Sequence, residues 1–135
     1  MRKKILIVVA DYYKDIASNL INSAKLYLKN KSSLSINFIR VPGVFEIPVT
    51  ISKNIKKFDA FIALGCVIKG QTDHYFFISQ SVTSALINLS VKSKKPIGFG
   101  ILTVNNYKQA KERALITKKN KGKEVALGVI SILKN

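Results

Sequence analysis

Four short β-rich runs alternate with segments of helical periodicity along this chain, and this alternation restricts the fold more than any other feature. The runs cover Lys4–Ala10, Ser35–Val41, Ala60–Ile68 and Ile97–Thr103, and the first, third and fourth are almost wholly apolar. Strands are continuously apolar where helices cover both faces of a parallel sheet. Strands that alternate with helices indicate an α/β fold with such a sheet.

Apolar residues at helical spacing lie between the runs. One stripe consists of Ile16, Leu20, Ala24 and Leu28, a second of Ile47, Ile51 and Ile55, and a third of Ile78, Val82, Leu86 and Leu89. Two further helices are predicted over Asn106–Ala114 and Lys121–Lys134. Since no linker, repeat or low-complexity tract interrupts the pattern, residues 1–135 are expected to form one domain, a three-layer sandwich.

Composition indicates the compartment and the assembly. No apolar run approaches the roughly 18 residues of a membrane helix, and the start of the chain fits a first strand better than a signal peptide, so no membrane partner is expected. The single cysteine, Cys66, excludes an internal disulfide and suits the reducing cytoplasm. It lies inside an apolar run and is predicted to be a core residue. A hydrophobic content of 47% is high for so small a domain and favours a homo-oligomer.

The formal net charge of +16 raises the possibility of a nucleic-acid partner. Nearly all the cations are lysines scattered along the chain, and the only arginines are Arg2, Arg40 and Arg113. No cluster of aromatic and basic residues resembles an RNA-binding strand pair. We therefore expect no specific nucleic-acid partner. A basic nucleic-acid-binding domain is kept as the weakest of three hypotheses for function, and the other two are given below.

The segment Ala63–His74 predicts a phosphate pocket beside a proton carrier. It reads as a buried strand, a turn that contains Gly70, Gln71 and Thr72, and a histidine on the first turn of a helix. Backbone amides at a helix start bind anions, and histidine exchanges protons near neutral pH. His74 is the only histidine. An ordinary strand-to-helix turn with Thr72 as the N-cap is an equally natural interpretation.

Other candidate residues follow the ends of the predicted strands, where ligands of parallel sheets bind. Tyr12 and Tyr13 would stack on a flat heterocycle or pack internally. Phe45 would form an apolar wall, and Glu46 would accept hydrogen bonds from a ligand. Arg113 is either a phosphate ligand or a solvated helix charge. No metal-ligand spacing, GxGxxG or P-loop is present, so neither a metal nor a nucleotide cofactor is expected.

Five segments together resemble the lumazine synthase family: Val41–Pro48, Ala63–His74, Phe99–Thr103, Gln109–Ala114 and Asn120–Gly122. The resemblance runs from the first strand to the last helix. It implies a flavodoxin-like four-stranded parallel sheet and a pentamer with active sites between neighbouring subunits. It also implies the condensation of 5-amino-6-(D-ribitylamino)uracil with 3,4-dihydroxy-2-butanone 4-phosphate to 6,7-dimethyl-8-ribityllumazine, phosphate and water, with no cofactor.

The resemblance also implies roles for residues at matching positions. The pyrimidine ring would contact Tyr12, Val67 and Ile68, and the ribityl chain would contact Val44, Phe45 and Glu46. Gln71 and Thr72 would form the phosphate loop, and His74 would transfer protons. The neighbouring subunit would contribute Phe99, Arg113 and Lys121, with Arg113 on the phosphate.

The chain departs from the family's pattern at several positions. Tyr12 replaces a frequent phenylalanine, Tyr13 a frequent asparagine, and Leu115 and Lys119 replace glycines, which makes the backbone before Lys121 a point of interest. The sequence starts at its first strand, so we expect pentamers rather than sixty-subunit shells. The runner-up hypothesis is a catalytically weak flavin- or lumazine-binding or scaffolding paralogue.

Overall fold

The computed structural model describes residues 2–31 and 33–135. Its strands are β1 (Lys3–Ala10), β2 (Leu34–Val41), β3 (Ala60–Ile68) and β4 (Ile97–Val104). Its helices are α1 (Lys14–Leu28), α2 (Ile47–Lys53), α3 (His74–Ser93), α4 (Tyr107–Ala114) and α5 (Lys121–Leu133), and a 3-10 turn covers Val44–Glu46.

The four strands form one parallel sheet in the order β2-β1-β3-β4. The predicted α/β fold with a four-stranded parallel sheet is therefore confirmed. The central strands β1 and β3 are buried over most of their length, which explains their continuously apolar sequences. The edge strand β2 is half-exposed, and polar residues interrupt its apolar pattern for that reason.

Helices cover both faces of the sheet and enclose two clusters of apolar side chains. One cluster joins the sheet to α1, α4 and α5, and the other joins it to α2 and α3. The second helical stripe was predicted one turn too long, since α2 ends at Lys53 and Ile55 lies beyond it. The Asn54 side chain donates to the Thr50 carbonyl at 2.8 Å as the helix ends.

Helices α1 and α3 are buried to different extents. Seven of the 15 residues of α1 are buried, whereas only Val82 and Leu86 are buried among the 20 residues of α3. Large apolar side chains of α3 instead face outward, including Phe77 at 61% exposure and Val91 at 70%. An apolar helix face of this kind is typical of a subunit interface.

Across residues 2–31 and 33–135, no helix combines the length and apolar character needed to cross a membrane. All four strands run in the same direction, so their carboxyl ends and the loops that follow them lie along one rim of the sheet. One candidate cavity lies at that rim, and a second lies along the edge strand β4.

Candidate active site

The first cavity, here the apolar cavity, encloses about 390 Å³ where β1 and β3 end. Tyr12 and Tyr13 follow β1, the turn after β2 contributes Gly43, and the start of α3 contributes His74. The remaining lining residues are Val44, Phe45, Cys66, Val67, Ile68 and Ile78. The wall is mainly apolar and aromatic, as in most sites for flat organic ligands.

Close packing of the 3-10 turn against β3 shapes this cavity. A Cβ atom at Gly65 would lie 2.8 Å from Cγ1 of Val44 and 3.2 Å from the Cβ of Ala10. Glycine is therefore required in β3 for the turn to approach so closely. Because Gly65 has no side chain, Val44 packs directly against β3, and the next residue, Phe45, lies at the edge of the cavity.

Aromatic rings project from the cavity's rim. Tyr12 is 75% exposed and Phe45 62% exposed, so both rings present apolar surface without a partner in this chain's core. The ring of Tyr12 meets that of Tyr13 edge to face, with centroids 4.9 Å apart. Burial, and secondarily the neighbouring Cys66 and Tyr12, raise the pKa of the Tyr13 hydroxyl, which is neutral at physiological pH.

Cys66 is 8% exposed and belongs to the apolar cluster beneath the cavity, which confirms its prediction as a core residue. Burial, with a smaller contribution from the charge of Asp15, raises the pKa of its thiol to about 11. The thiol is therefore protonated at neutral pH. A protonated thiol is a poor nucleophile, so nothing in its environment activates Cys66.

His74 is the first residue of α3 and is exposed. Its backbone N–H donates to the Thr72 hydroxyl at 3.2 Å. The N-cap of α3 is Asp73, whose side chain makes no capping bond, so the interpretation of Thr72 as the N-cap is wrong by one residue. Among the described residues, the backbone N–H groups of residues 70–73 donate to no protein acceptor. They are free to bind an anion.

The second cavity, here the basic cavity, encloses about 370 Å³ beside the edge strand β4. Three basic residues line it: Arg113 of α4, Lys119 of the following loop, and Lys121 at the start of α5. The other lining residues are Phe99, Ile101, Leu102, Thr103 and Glu124. Lys121 Nζ lies 3.4 Å from Glu124 Oε2, while Arg113 forms no ion pair within the described part of the chain. Three cations against one carboxylate make this cavity suited to an anion.

The loop between α4 and α5 accommodates Leu115 and Lys119, the two residues at positions where the family resemblance implies glycine. Leu115 adopts an ordinary extended conformation with φ −67°. The Lys119 N–H donates to the Glu112 carbonyl at 3.2 Å, and the Asn120 N–H to the Leu115 carbonyl at 3.0 Å. The left-handed position of the loop is Asn120, with φ 52°. Asparagine tolerates that conformation, so neither Leu115 nor Lys119 is strained.

The comparison with protein families confirms the family resemblance. Residues 2–135 match the family described as 6,7-dimethyl-8-ribityllumazine synthase. The chain belongs to this family.

Proteins with the same name are similar to the chain over most of their length. The protein of Buchnera aphidicola subsp. Baizongia pistaciae (strain Bp) is 41% identical over 137 residues, which cover 98% of this chain and 86% of that protein. The protein of Limosilactobacillus reuteri (strain DSM 20016) is 39% identical over 132 residues, covering 96% and 87%. That of Campylobacter curvus (strain 525.92) is 38% identical over 136 residues, covering 98% and 87%.

The candidate residues of this lumazine synthase family member fall into three groups. The apolar cavity brings together Tyr12, Val44, Phe45, Val67, Ile68 and His74. The basic cavity brings together Phe99, Arg113 and Lys121. Glu46, Gln71 and Thr72 line neither cavity. Glu46 lies instead in a groove between α2 and α3, and the other two lie on the exposed loop before His74.

Sequence reasoning missed several residues that line the cavities. Ile78 lies one turn after His74 on α3, so helical spacing from the histidine would have indicated it. Thr103 lies four residues after Phe99 on the same strand, and alternation along β4 would have placed both on one face. For Lys119 no sequence pattern distinguishes it from the neighbouring lysines.

The two cavities have no lining residue in common. The apolar cavity is open at exposed aromatic rings, and the basic cavity is open beyond an edge strand. No group of three or more histidine, cysteine or carboxylate side chains with metal-binding proximity occurs among the described residues.

Proposed function

We propose that this chain condenses 5-amino-6-(D-ribitylamino)uracil with 3,4-dihydroxy-2-butanone 4-phosphate to give 6,7-dimethyl-8-ribityllumazine, phosphate and water. Family membership over residues 2–135 supports this reaction. The structural observation that carries the proposal is the apolar cavity, where exposed aromatic rings and a histidine surround space for a heterocycle.

The uracil derivative would bind in the apolar cavity. Its ring would lie against Tyr12 and the apolar side chains of Val67 and Ile68 at the end of β3. Stacking on an exposed aromatic ring stabilises a flat heterocycle through apolar contact and quadrupole attraction. The ribityl chain would extend along Val44–Glu46, where the Glu46 carboxylate is available to accept hydrogen bonds from hydroxyl groups.

The phosphate of the second substrate would bind between the loop before α3 and Arg113. The unpaired amides of residues 70–73 and the Thr72 hydroxyl offer neutral donors, and the guanidinium offers a bidentate charged donor. Lys119 and Lys121 add two further positive charges in the basic cavity. Positive charge beside the leaving phosphate stabilises the charge that develops there.

The reaction needs proton transfer at each stage. The free amine of the uracil attacks the ketone, and loss of water gives an imine. Phosphate then leaves, and the ring closes with loss of a second water. We assign these proton transfers to His74, because it borders the apolar cavity and exchanges protons near neutral pH. Holding both substrates side by side supplies acceleration by making the first step effectively unimolecular.

We propose that the active site lies between two subunits of a homopentamer, with the apolar cavity of one facing the basic cavity of its neighbour. The separate linings of the two cavities support this, and so does the apolar outer face of α3. Light scattering should then give a mass near five times the 15.0 kDa of one chain. A clean monomer that turns over both substrates would contradict a shared site.

We place this single-domain enzyme in the reducing cytoplasm, where Cys66 stays a thiol, with no membrane or specific nucleic-acid partner.

The proposed activity is tested by mixing the purified protein with both substrates and following the fluorescence of the lumazine product. Rapid, saturable formation above a protein-free control is expected. A folded oligomer that binds the lumazine product without accelerating its formation would instead indicate the non-catalytic paralogue.

A further inference from the structure

Ser23, in the middle of α1, is the one buried polar residue in the part of the chain that the structure describes, at 2% exposure. Its hydroxyl oxygen accepts a hydrogen bond from the Lys123 backbone N–H at 2.9 Å and donates one to the Asn120 side-chain oxygen. Both partners lie about 100 residues away, at the start of α5. A buried hydroxyl is costly unless it is bonded, and Ser23 uses both its donor and an acceptor lone pair.

These bonds make α1 supply the N-terminal cap of α5. Lys123 is the third residue of α5, and its N–H is one of the first four in a helix that lack a partner inside the helix. The side chain of the N-cap, Asn120, makes no capping bond to its own helix, and its backbone is left-handed with φ 52°. The Ser23 hydroxyl therefore takes the place that the N-cap side chain usually fills.

A second contact holds the same turn against α1. A Cβ atom added at Gly122 would lie 2.5 Å from the Leu20 carbonyl oxygen and 2.8 Å from the Ala24 nitrogen. The first turn of α5 thus lies directly on the backbone of α1, and only glycine fits there. Lys121 stands between Asn120 and Gly122, so contacts to α1 fix the backbone on both sides of it.

Lys121 is the residue that this arrangement delivers to the basic cavity, beside Arg113 and 3.4 Å from Glu124. We propose that Ser23 is a positioning residue for substrate binding, which sets the place of Lys121 in the basic cavity through Asn120 and Lys123. This inference rests on the proposed function. Ser23 touches no substrate, and its effect on the reaction passes entirely through Lys121.

The test compares Ser23→Ala with Ser18→Ala, a matched change at an exposed serine of the same helix. Ser23→Ala removes the hydroxyl that caps α5, and the displacement of Lys121 that follows should lower kcat/KM about fivefold to tenfold. Ser18→Ala should leave kcat/KM unchanged. Both variants should keep the wild-type oligomer mass and circular dichroism spectrum.

A double-mutant cycle separates positioning from general destabilisation. In a Lys121→Ala background no ammonium group is left to misplace, so adding Ser23→Ala should change kcat/KM by less than about twofold. A further fivefold to tenfold loss in that background would overturn the proposal. If Ser23→Ala fails to fold, Asn120→Gly serves instead, because it keeps the left-handed backbone and removes only the side-chain acceptor.

Hydrogen exchange gives a readout that does not depend on turnover. The Lys123 amide should exchange at least about tenfold faster in Ser23→Ala than in Ser18→Ala, because its acceptor is lost, while amides later in α5 are unaffected. If the wild-type protein shows no turnover, the proposed function fails by itself, and faster exchange at Lys123 would still support the placement of Lys121 by Ser23. Unchanged exchange would overturn that placement.

Discussion

The apolar cavity lies at the carboxyl ends of the central strands and the basic cavity along the edge strand β4, and the chain builds them differently. The apolar cavity forms where the central strands β1 and β3 end, and its walls are continuous with the buried core. The basic cavity forms at the edge strand β4, from the loop between α4 and α5. One is shaped by packing within the core, and the other by a loop that α1 holds in place.

Their chemistry differs in the same way. The apolar cavity contains a thiol whose pKa burial raises to about 11, so its surroundings disfavour charge. The basic cavity collects three cations whose positive charge only Glu124 offsets. A substrate pair made of a flat heterocycle and a phosphate ester needs both environments at once. The difference between the cavities supports the proposal that one chain carries two half-sites, which a second copy of the chain would bring together.

The strongest test of this division combines two impaired variants. His74→Ala should lower kcat by about 10²- to 10⁴-fold, the usual contribution of a positioned acid–base group. Arg113→Ala alters the other half-site. If neighbouring subunits share the site, refolding the two variants together in equal amounts should restore about one-quarter of wild-type activity, since half the apolar and half the basic half-sites are intact.

Each variant refolded alone serves as the control, and at butanone phosphate concentrations well below KM each should show less than about one-tenth of wild-type activity. Mixed oligomers that regain no activity, with their composition established by native mass spectrometry, would place both half-sites on one chain.

Thiol reactivity compares the electrostatics of the two cavities directly. Cys66 should react slowly with iodoacetamide at pH 7, because only the thiolate attacks and a pKa of about 11 keeps the thiol protonated. Its rate should rise about tenfold for each pH unit up to that pKa. In a Thr103→Cys variant, the new thiol lies among the cations of the basic cavity and should react at least about 100-fold faster than Cys66 at pH 7.

Mass spectrometry of the alkylated peptides follows both cysteines in the same sample. The chain unfolded in urea provides the reference rate for each thiol. Equal rates at the two positions in the folded protein would mean that the cavities do not differ in their effect on charge.

The cavities also differ in how well sequence alone predicts them. Tyr12, Tyr13 and Phe45 of the apolar cavity follow from strand ends, because ligands of parallel sheets bind where the strands end. Val44, Val67 and Ile68 were indicated only by the family resemblance. The predicted strand boundaries differ from those of the structure by no more than one residue, because the apolar runs mark the strands clearly. The helix predicted from Ile47, Ile51 and Ile55 was too long, because the partly buried Ile55 continues the helical spacing although α2 ends at Lys53.

The basic cavity was not predictable from periodicity or charge. Arg113 lies on a short helix among exposed polar residues, and such a residue looks like a solvated charge. Arg113 becomes part of an anion-binding cavity only because the loop between α4 and α5 brings Lys119 and Lys121 beside it. The path of that loop depends in turn on a hydroxyl of α1 and on a left-handed asparagine, which no local pattern indicates. The sequence left Arg113 open between a phosphate ligand and a solvated charge, and only the family resemblance assigned it to the phosphate and singled out Lys121.

Removal of the guanidinium should separate the two substrates. Arg113→Ala should raise the KM of the butanone phosphate by about 10- to 100-fold, the equivalent of one charge-assisted bidentate contact, and change the KM of the uracil by less than about twofold. Lys111→Ala removes an exposed cation from the same helix and is the matched control, with no expected change in either KM. Steady-state kinetics with each substrate varied in turn measures the split. Equal increases for both substrates would contradict the assignment of phosphate to the basic cavity.

The smallest expected effect concerns the hydroxyl of Tyr12. This hydroxyl has no hydrogen-bond partner within residues 2–31 and 33–135, and the ring is largely exposed. Tyr12→Phe should therefore change the KM of the uracil by less than about twofold, whereas Tyr12→Ala should raise it about tenfold through loss of ring stacking. Neither change should alter the KM of the butanone phosphate, because in the proposed arrangement its phosphate binds away from Tyr12. If Tyr12→Phe raised the KM of the uracil as much as Tyr12→Ala, the hydroxyl rather than the ring would contact the substrate. The apolar cavity would then bind its ligand through a polar contact rather than through ring stacking.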